Sequence, residues 1–431
     1  MNDRADVVVI GAGLAGAAAA AMLAARGLRI MVIEARDRPG GRAFTRPYAG
    51  TTELMEFGGA WITPWQHRMR ALCDQHGLAL RPRHRITGRR WFSDAQLRTD
   101  CPAPPGEQTA HERAVAQIAE HAELLKSGHT RDRQGRPFGA LSFASYLTLL
   151  DAPATTRDLL SAWWTVSGSG DKARVPAAEL LHSVSYFDGT LDGICEAWTD
   201  TVASGAQVLA TNMLARSGAT CRLGVRAENV SHADDGVRVG TSAGEIAASA
   251  AIVATGVNPM SAIRFDPALP RARSVALKDG HLGRAVKVWA RVAGVPLGVL
   301  ATGGHYGIEW MFSERCAGDD AAFVVGFGVA ANGWNPEIPT DVYRAVERLF
   351  PEGRVLDCDW HDWNADPNAR GTWVSGIVDA PGAFTASNWS RLGRLAFASS
   401  DFAPSDAGWF EGAIVSGEEA ASEIHAVLAC R

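Results

Sequence analysis

The run Val7-Val8-Val9-Ile10 has no polar position, the pattern of a strand buried on both faces, and it breaks at Gly11-Ala12-Gly13-Leu14-Ala15-Gly16. From Ala15 to Arg26 the residues are almost all alanine, which predicts a helix lying close against that strand and capped by Gly27. A second apolar run, Ile30-Met31-Val32-Ile33, ends on Glu34. Helical spacing returns at Glu112–Lys126, Asp158–Trp164 and from Gly205-Ala206-Gln207 to Ala215. Arg222 to Val225 is a short strand, and Val237–Val239 pairs with Glu245-Ile246 across a glycine-bearing turn. Ala251-Ile252-Val253 runs into Ala254-Thr255-Gly256, again an apolar strand ending in a glycine turn. Arg284 to Val292 alternates, with Val286, Val288, Ala290 and Val292 on one face and Ala285, Lys287 and Trp289 on the other. The run Arg394 to Asp401 opens as a strand, followed by a loop and then a helix beginning near Trp409, whose buried face carries Phe410, Ile414, Gly417, Ala421, Ile424 and Leu428.

These patterns predict an α/β protein with a Rossmann-like, doubly wound domain that is discontinuous in sequence. Strand, glycine turn, helix, second strand and acid in that order bind a dinucleotide: Gly11 makes the turn, Gly13 lets backbone approach a pyrophosphate, and Gly16 lets the helix meet the sheet. The amides of Leu14 and Ala15 open that helix without intrahelical acceptors, and its dipole favours an anion. Glu34, with Ala35 and Arg36 beside it, stands where a carboxylate accepts ribose hydroxyls. Residues 1–75, 205–265 and 385–431 are assigned to this domain. Residues 76–204 and 266–384 are too long for loops and carry no phosphate signature, so they form a mixed β-sheet and helix substrate domain.

Composition narrows the partners. With 47% hydrophobic residues and a net charge of −5, acids and bases interspersed, the 431-residue chain has no broad basic surface for nucleic acid. The arginines at 81, 83, 85, 89, 90 and 98 read as a solvated face. Seven cysteines without metal spacing read as reduced thiols of a cytoplasmic protein, and no metal site is expected. Residues 1–6 are too short and polar for a secretory signal, and no apolar run is long enough to span a bilayer, so no membrane partner is expected. His84, His182, His281 and His305 read as structural histidines or polar contacts.

The acid is followed directly by Arg36-Asp37-Arg38-Pro39-Gly40-Gly41-Arg42 and then by Glu56-Phe57-Gly58-Gly59-Ala60-Trp61. This order resembles the FAD-binding start of the flavin amine oxidases, in which the first segment meets the pyrophosphate and the second lies along the flavin. Gly283-Arg284-Ala285-Val286-Lys287 is similar to the family's strand with a lysine over flavin N5, which would position a water and assist reoxidation. Trp363 and Trp373 have the spacing of the family's flavin-contacting tryptophan and first cage aromatic, and Trp409 in Gly408-Trp409-Phe410 takes the place of the second. Ser400 and Asp401 stand in its F-A-G-T-[ED] run, and Val225 with Ala254, Thr255 and Gly256 belongs to the middle FAD segment.

The resemblance implies an FAD enzyme that passes a hydride from the α C–H of an amine to flavin N5, giving an imine, a carbonyl compound and, with O2, peroxide. The amine would be small, with an apolar or aromatic group held between two indoles. A homodimer is a further expectation. Thr372 replaces the cysteine that links flavin covalently in some monoamine oxidases, which implies non-covalent FAD, and Ala60 to Pro64 lacks the arginine that clamps an α-carboxylate. The rival readings are a desaturase of the phytoene or protoporphyrinogen type and a flavoprotein whose FAD is structural and whose surface binds a protein.

Overall fold

The computed structural model describes residues 5–304, 307–318, 320–331 and 333–429. The first apolar run is the strand Ala5–Ile10, parallel to Ile30–Glu34 on one side and to Gly244–Val253 on the other. Ile30–Glu34 pairs in turn with Thr220–Leu223, two residues earlier than its pattern predicts, because register places Thr220 opposite Met31 and Leu223 opposite Glu34. The strand Gly244–Val253 serves two neighbours along one edge. Its first half pairs antiparallel with Gly236–Thr241, and Ala251 to Val253 pair in parallel with Leu395–Phe397. Ala227–Ala233 and Arg264–Asp266 complete this eight-stranded sheet.

The alanine-rich helix is Leu14–Ala24, apolar all round and buried on nearly every side. It packs with Phe410–Ala429, whose Phe410, Ile414, Gly417, Ala421 and Ile424 are buried as their spacing predicts, while Leu428 in the last turn is only half-buried. Each large apolar side chain buried here contributes roughly 1.5–3 kcal/mol.

A seven-stranded sheet runs in the order Arg354–Trp360, Ala285–Ala293, Ala321–Val329, Ile308–Cys316, Val299–Gly303, Gly88–Ser93, Gln96–Arg98. Val288, Ala290 and Val292 pack under the helix Ile338–Leu349, while Trp289 points the other way into a core with Trp310, Phe327 and Trp164. That second core is closed by the helices Gln108–Lys126, Ala154–Trp164 and Ala178–Tyr186. The first two begin four residues before their apolar spacing does. One arginine departs from the expected solvated face: Arg83 is buried, its guanidinium 3.9 Å from the Phe312 ring, and it donates to Cys195 O at 2.8 Å.

Candidate active site

At the end of the first strand, Gly13 is extended and caps the helix, and Ala17 N–H is bonded to Gly13 O at 2.9 Å. The amides before Ala17 have no acceptor within the helix. A Cβ at Gly16 would stand 1.9 Å from Gly11 O, so the helix touches the turn only because this residue has none. Glu34 is buried, with Oε2 accepting Ala12 N–H at 2.8 Å and Oε1 accepting Arg36 N–H at 2.9 Å. Two further lone pairs of that carboxylate remain for a ligand.

Gly40 N–H donates to Ala12 O at 2.8 Å, which lays the Gly-Gly-Arg segment on the first turn. Arg42 then reaches across the molecule to Thr372 O at 2.6 Å, Ser400 Oγ at 3.0 Å and Asp401 Oδ1 at 2.5 Å. Asp401 is fully buried. Burial acts to raise its pKa, but Arg42, His281 and the Val257 amide outweigh it and hold the carboxyl below its ordinary value. Val257 N–H donates to Oδ2 at 2.9 Å.

Farther along, Trp363 Nε1 donates to Phe57 O at 2.8 Å, and a Cβ at Gly58 would fall 1.8 Å from Arg42 O. Lys287 is buried, although periodicity alone reads it as a solvated lysine. Its Nζ donates to Gly58 O at 2.9 Å and lies 4.7 Å from the centre of the Trp61 ring. Burial lowers the Lys287 pKa against the pull of Glu56 and Glu314. Trp61 is fixed in turn, stacked on Trp198 at 4.5 Å and donating from Nε1 to both oxygens of Glu314.

Trp373 and Trp409 are half-buried. Trp373 Nε1 donates to Ser167 O at 2.9 Å, and its ring lies 6.4 Å from Phe327. Trp409 stacks on Tyr186 at 5.9 Å with 20° between planes, and Gly408 brings it beside Trp373, because a Cβ at Gly408 would lie 3.2 Å from Trp373 Cβ.

A single cavity of about 920 Å³ connects these parts. Its wall includes Gly11, Gly13, Leu14, Ala15, Glu34, Ala35, Arg36, Gly40, Gly41, Arg42, Gly58, Gly59, Ala60, Trp61, Val225, Ala254, Thr255 and Gly256. It continues through Lys287, Trp363, Trp373, Ser400, Gly408, Trp409 and Phe410. Gly16 and Asp401 stand behind the wall, one packing the helix and the other anchoring Arg42. Thr255 Oγ1 is buried without a hydrogen-bond partner among the described residues.

The wall also holds residues that no motif marks, notably Ser167, Glu179, Ser183, Tyr186 and Phe327. Burial raises Glu179 to about 7, opposed by the Gly376 amide. Of the histidines, His182 lines the cavity, His281 is buried with Nε2 3.8 Å from Asp401, His84 is exposed, and His305 lies outside the described residues.

A family model described as flavin containing amine oxidoreductase matches residues 14–425. The chain belongs to this family. It is a flavin-dependent oxidoreductase acting on amines. Pseudooxynicotine dehydrogenase of a Pseudomonas species is 28% identical over 98% of this amine oxidoreductase and 86% of the relative. (S)-6-hydroxynicotine oxidase of Paenarthrobacter nicotinovorans is 27% identical over 97% and 99%. A solved structure of putrescine oxidase bound to putrescine shares the fold with a TM-score of 0.84, at 23% identity and covering 98% and 99% of the two chains. No helix among the described residues of the amine oxidoreductase is long and apolar enough to cross a membrane.

Proposed function

We propose that the cavity takes FAD without a covalent bond and that a small amine with an apolar or aromatic group is oxidised between Trp373 and Trp409. The observation that carries this reading is one cavity wall continuous from Gly13 and Glu34 to Lys287, Trp373 and Trp409. Its volume is at the upper end of the roughly 300–1,000 Å³ of ligand pockets, which suits a dinucleotide together with a substrate. The donor set fits as well: free helix amides for a pyrophosphate, spare lone pairs on Glu34 for ribose hydroxyls, and an unpartnered Thr255 hydroxyl. When bound, the flavin supplies the acceptor for a hydride equivalent from the amine's α-carbon, and O2 takes the electrons on to peroxide.

The chain's own residues bind, orient and move protons. Asp401 fixes Arg42 against the coenzyme segment, and Trp363, tied to Phe57 O, backs the ring side of the wall. Trp373 has its one donor engaged on Ser167 O, so it offers the amine an electron-rich face and no hydrogen bond. Trp409 offers a second face, and together they form an aromatic cage. Lys287, whose ammonium is destabilised by burial, exchanges a proton readily near neutrality and holds a water at the reactive edge. The product imine leaves for hydrolysis to a carbonyl compound.

Thr372 supports non-covalent binding, because its hydroxyl accepts Ala285 N–H at 3.1 Å and no cysteine belongs to the described wall. The eight-stranded sheet supports reading residues 1–75, 205–265 and 385–431 as the FAD domain, and the seven-stranded sheet supports the remainder as the substrate domain. Six unpaired cysteines among the described residues support a cytoplasmic location. The relatives named for pseudooxynicotine, hydroxynicotine and putrescine support an amine substrate. The test is anaerobic bleaching of the yellow protein by apolar primary, secondary and cyclic amines. Failure of all of them removes the substrate reading, and flavin that stays with acid-denatured protein removes the non-covalent one.

A further inference from the structure

The helix Ala178–Tyr186 turns Glu179, His182, Ser183 and Tyr186 to the cavity, a spacing of three, four and seven residues along one face. Its last turn meets the amine end, where Tyr186 stacks on Trp409 and donates to Asp406. Its first turn holds Glu179, about 10 Å away along the axis at the helical rise per residue. Glu179 Oε1 accepts Gly376 N–H at 2.8 Å, three residues beyond Trp373.

Among the described residues no lysine, arginine or histidine forms an ion pair with this carboxyl. Lys126 reaches the same cavity without pairing with it, and burial lowers the His182 pKa, which disfavours a charged ring there. Only the Gly376 amide opposes the effect of burial on Glu179. A half-buried carboxyl that lines the cavity without a protein cation is stabilised by a proton or by a cation that arrives with the ligand. The second choice is open here, because the cavity it faces is the one that receives amines.

We propose that Glu179 is a specificity-determining residue that receives a second, protonated nitrogen of the substrate, so that the preferred substrates are α,ω-diamines spanning the cavity from Trp409 to the first turn of this helix. The inference rests on reading the cavity as the amine site. With one nitrogen between the indoles and the other on Glu179, the connecting methylenes lie along the apolar wall at Phe327 and Trp373.

The experiment compares 1,6-diaminohexane with hexylamine, which differ by the distal nitrogen. The ratio of their kcat/KM values is expected to exceed ten in the natural enzyme and to fall at least tenfold in Glu179→Gln, whose amide oxygen still accepts the Gly376 N–H. Glu179→Asp, which keeps the charge, is expected to retain a preference for the diamine. Anaerobic calorimetry on the natural flavoprotein, first reduced with dithionite so that it cannot oxidise the amine, measures the same preference as a ratio of Kd values without turnover and without any variant. A ratio near one in the natural enzyme, or a ratio unmoved by Glu179→Gln, overturns the proposal. Turnover of hexylamine with no diamine preference sinks this inference alone. A Glu179-dependent binding preference without oxidation of either amine sinks the reaction and leaves this subsite standing.

Discussion

The two ends of the cavity are built by different means. On the proposed reading, the coenzyme end works by main chain: helix amides, the turn at Gly11 and a carboxylate locked by two backbone N–H groups within one stretch of thirty residues. The proposed amine end works by side chains from four distant segments, with Lys287, Trp373, Trp409 and Tyr186 meeting only through tertiary packing. A main-chain site tolerates few changes of glycine and many changes elsewhere. A side-chain site can be retuned one residue at a time while the coenzyme end stays intact.

That contrast can be broken or sharpened by substitution, and the largest effect belongs to Gly16→Val. A branched side chain aimed at Gly11 O should destabilise the protein by about 4 kcal/mol or more, and it should emerge colourless, read as flavin absorbance per protein after gel filtration. Lys287→Met comes next. It should keep its flavin while reoxidation of the reduced protein slows by roughly 10²-fold, followed by rapid mixing with O2. Unchanged reoxidation would return Lys287 to a structural role. Trp373→Ala and Trp409→Ala should each lower kcat/KM about tenfold through loss of ring-face contact, again with flavin content intact. If either variant is colourless, the two ends are not separable as described.

The smallest effect expected is at Asp401→Asn, which should retain flavin a few-fold less well and melt a few degrees lower near neutrality. The sign follows from the depressed carboxyl. Asp401 contributes stability above its unfolded pKa and loses it as pH falls through its lower folded value, so the melting gap should close on acidification. A gap that persists unchanged into the acid range would mean that the Arg42 contact is not electrostatic.

The coenzyme end was legible because its physics is local. Val7 to Ile10, the glycine turn and Glu34 each fix a neighbour's conformation, and the structure adds register rather than content. Lys287 was half legible: alternation places it opposite Val288 and Val292, but a lysine on that face looks the same whether it meets water or Trp61. Arg83 misleads for the same reason, sitting between exposed Arg81 and Arg85 while stacked on buried Phe312. Glu179, Ser183 and Tyr186 form a polar stripe beside buried Leu180, Leu181 and Val184, the pattern of any surface helix. Only the cavity distinguishes them. Asp401 shows a different limit, since a motif can bring a residue near a ligand without saying that it stands behind the arginine it supports.

The strand Gly244–Val253 carries one further meaning. Its final residues are flanked on one edge by Leu395–Phe397, which leads into the helix whose start closes the cavity. The first turn and Glu34 lie early in the chain, whereas this part of the cavity wall is carried by a pass that pairs with a strand about 150 residues before it. A chain ended before residue 395 is therefore expected to lack the Ser399–Phe410 part of the cavity wall and to purify without flavin colour.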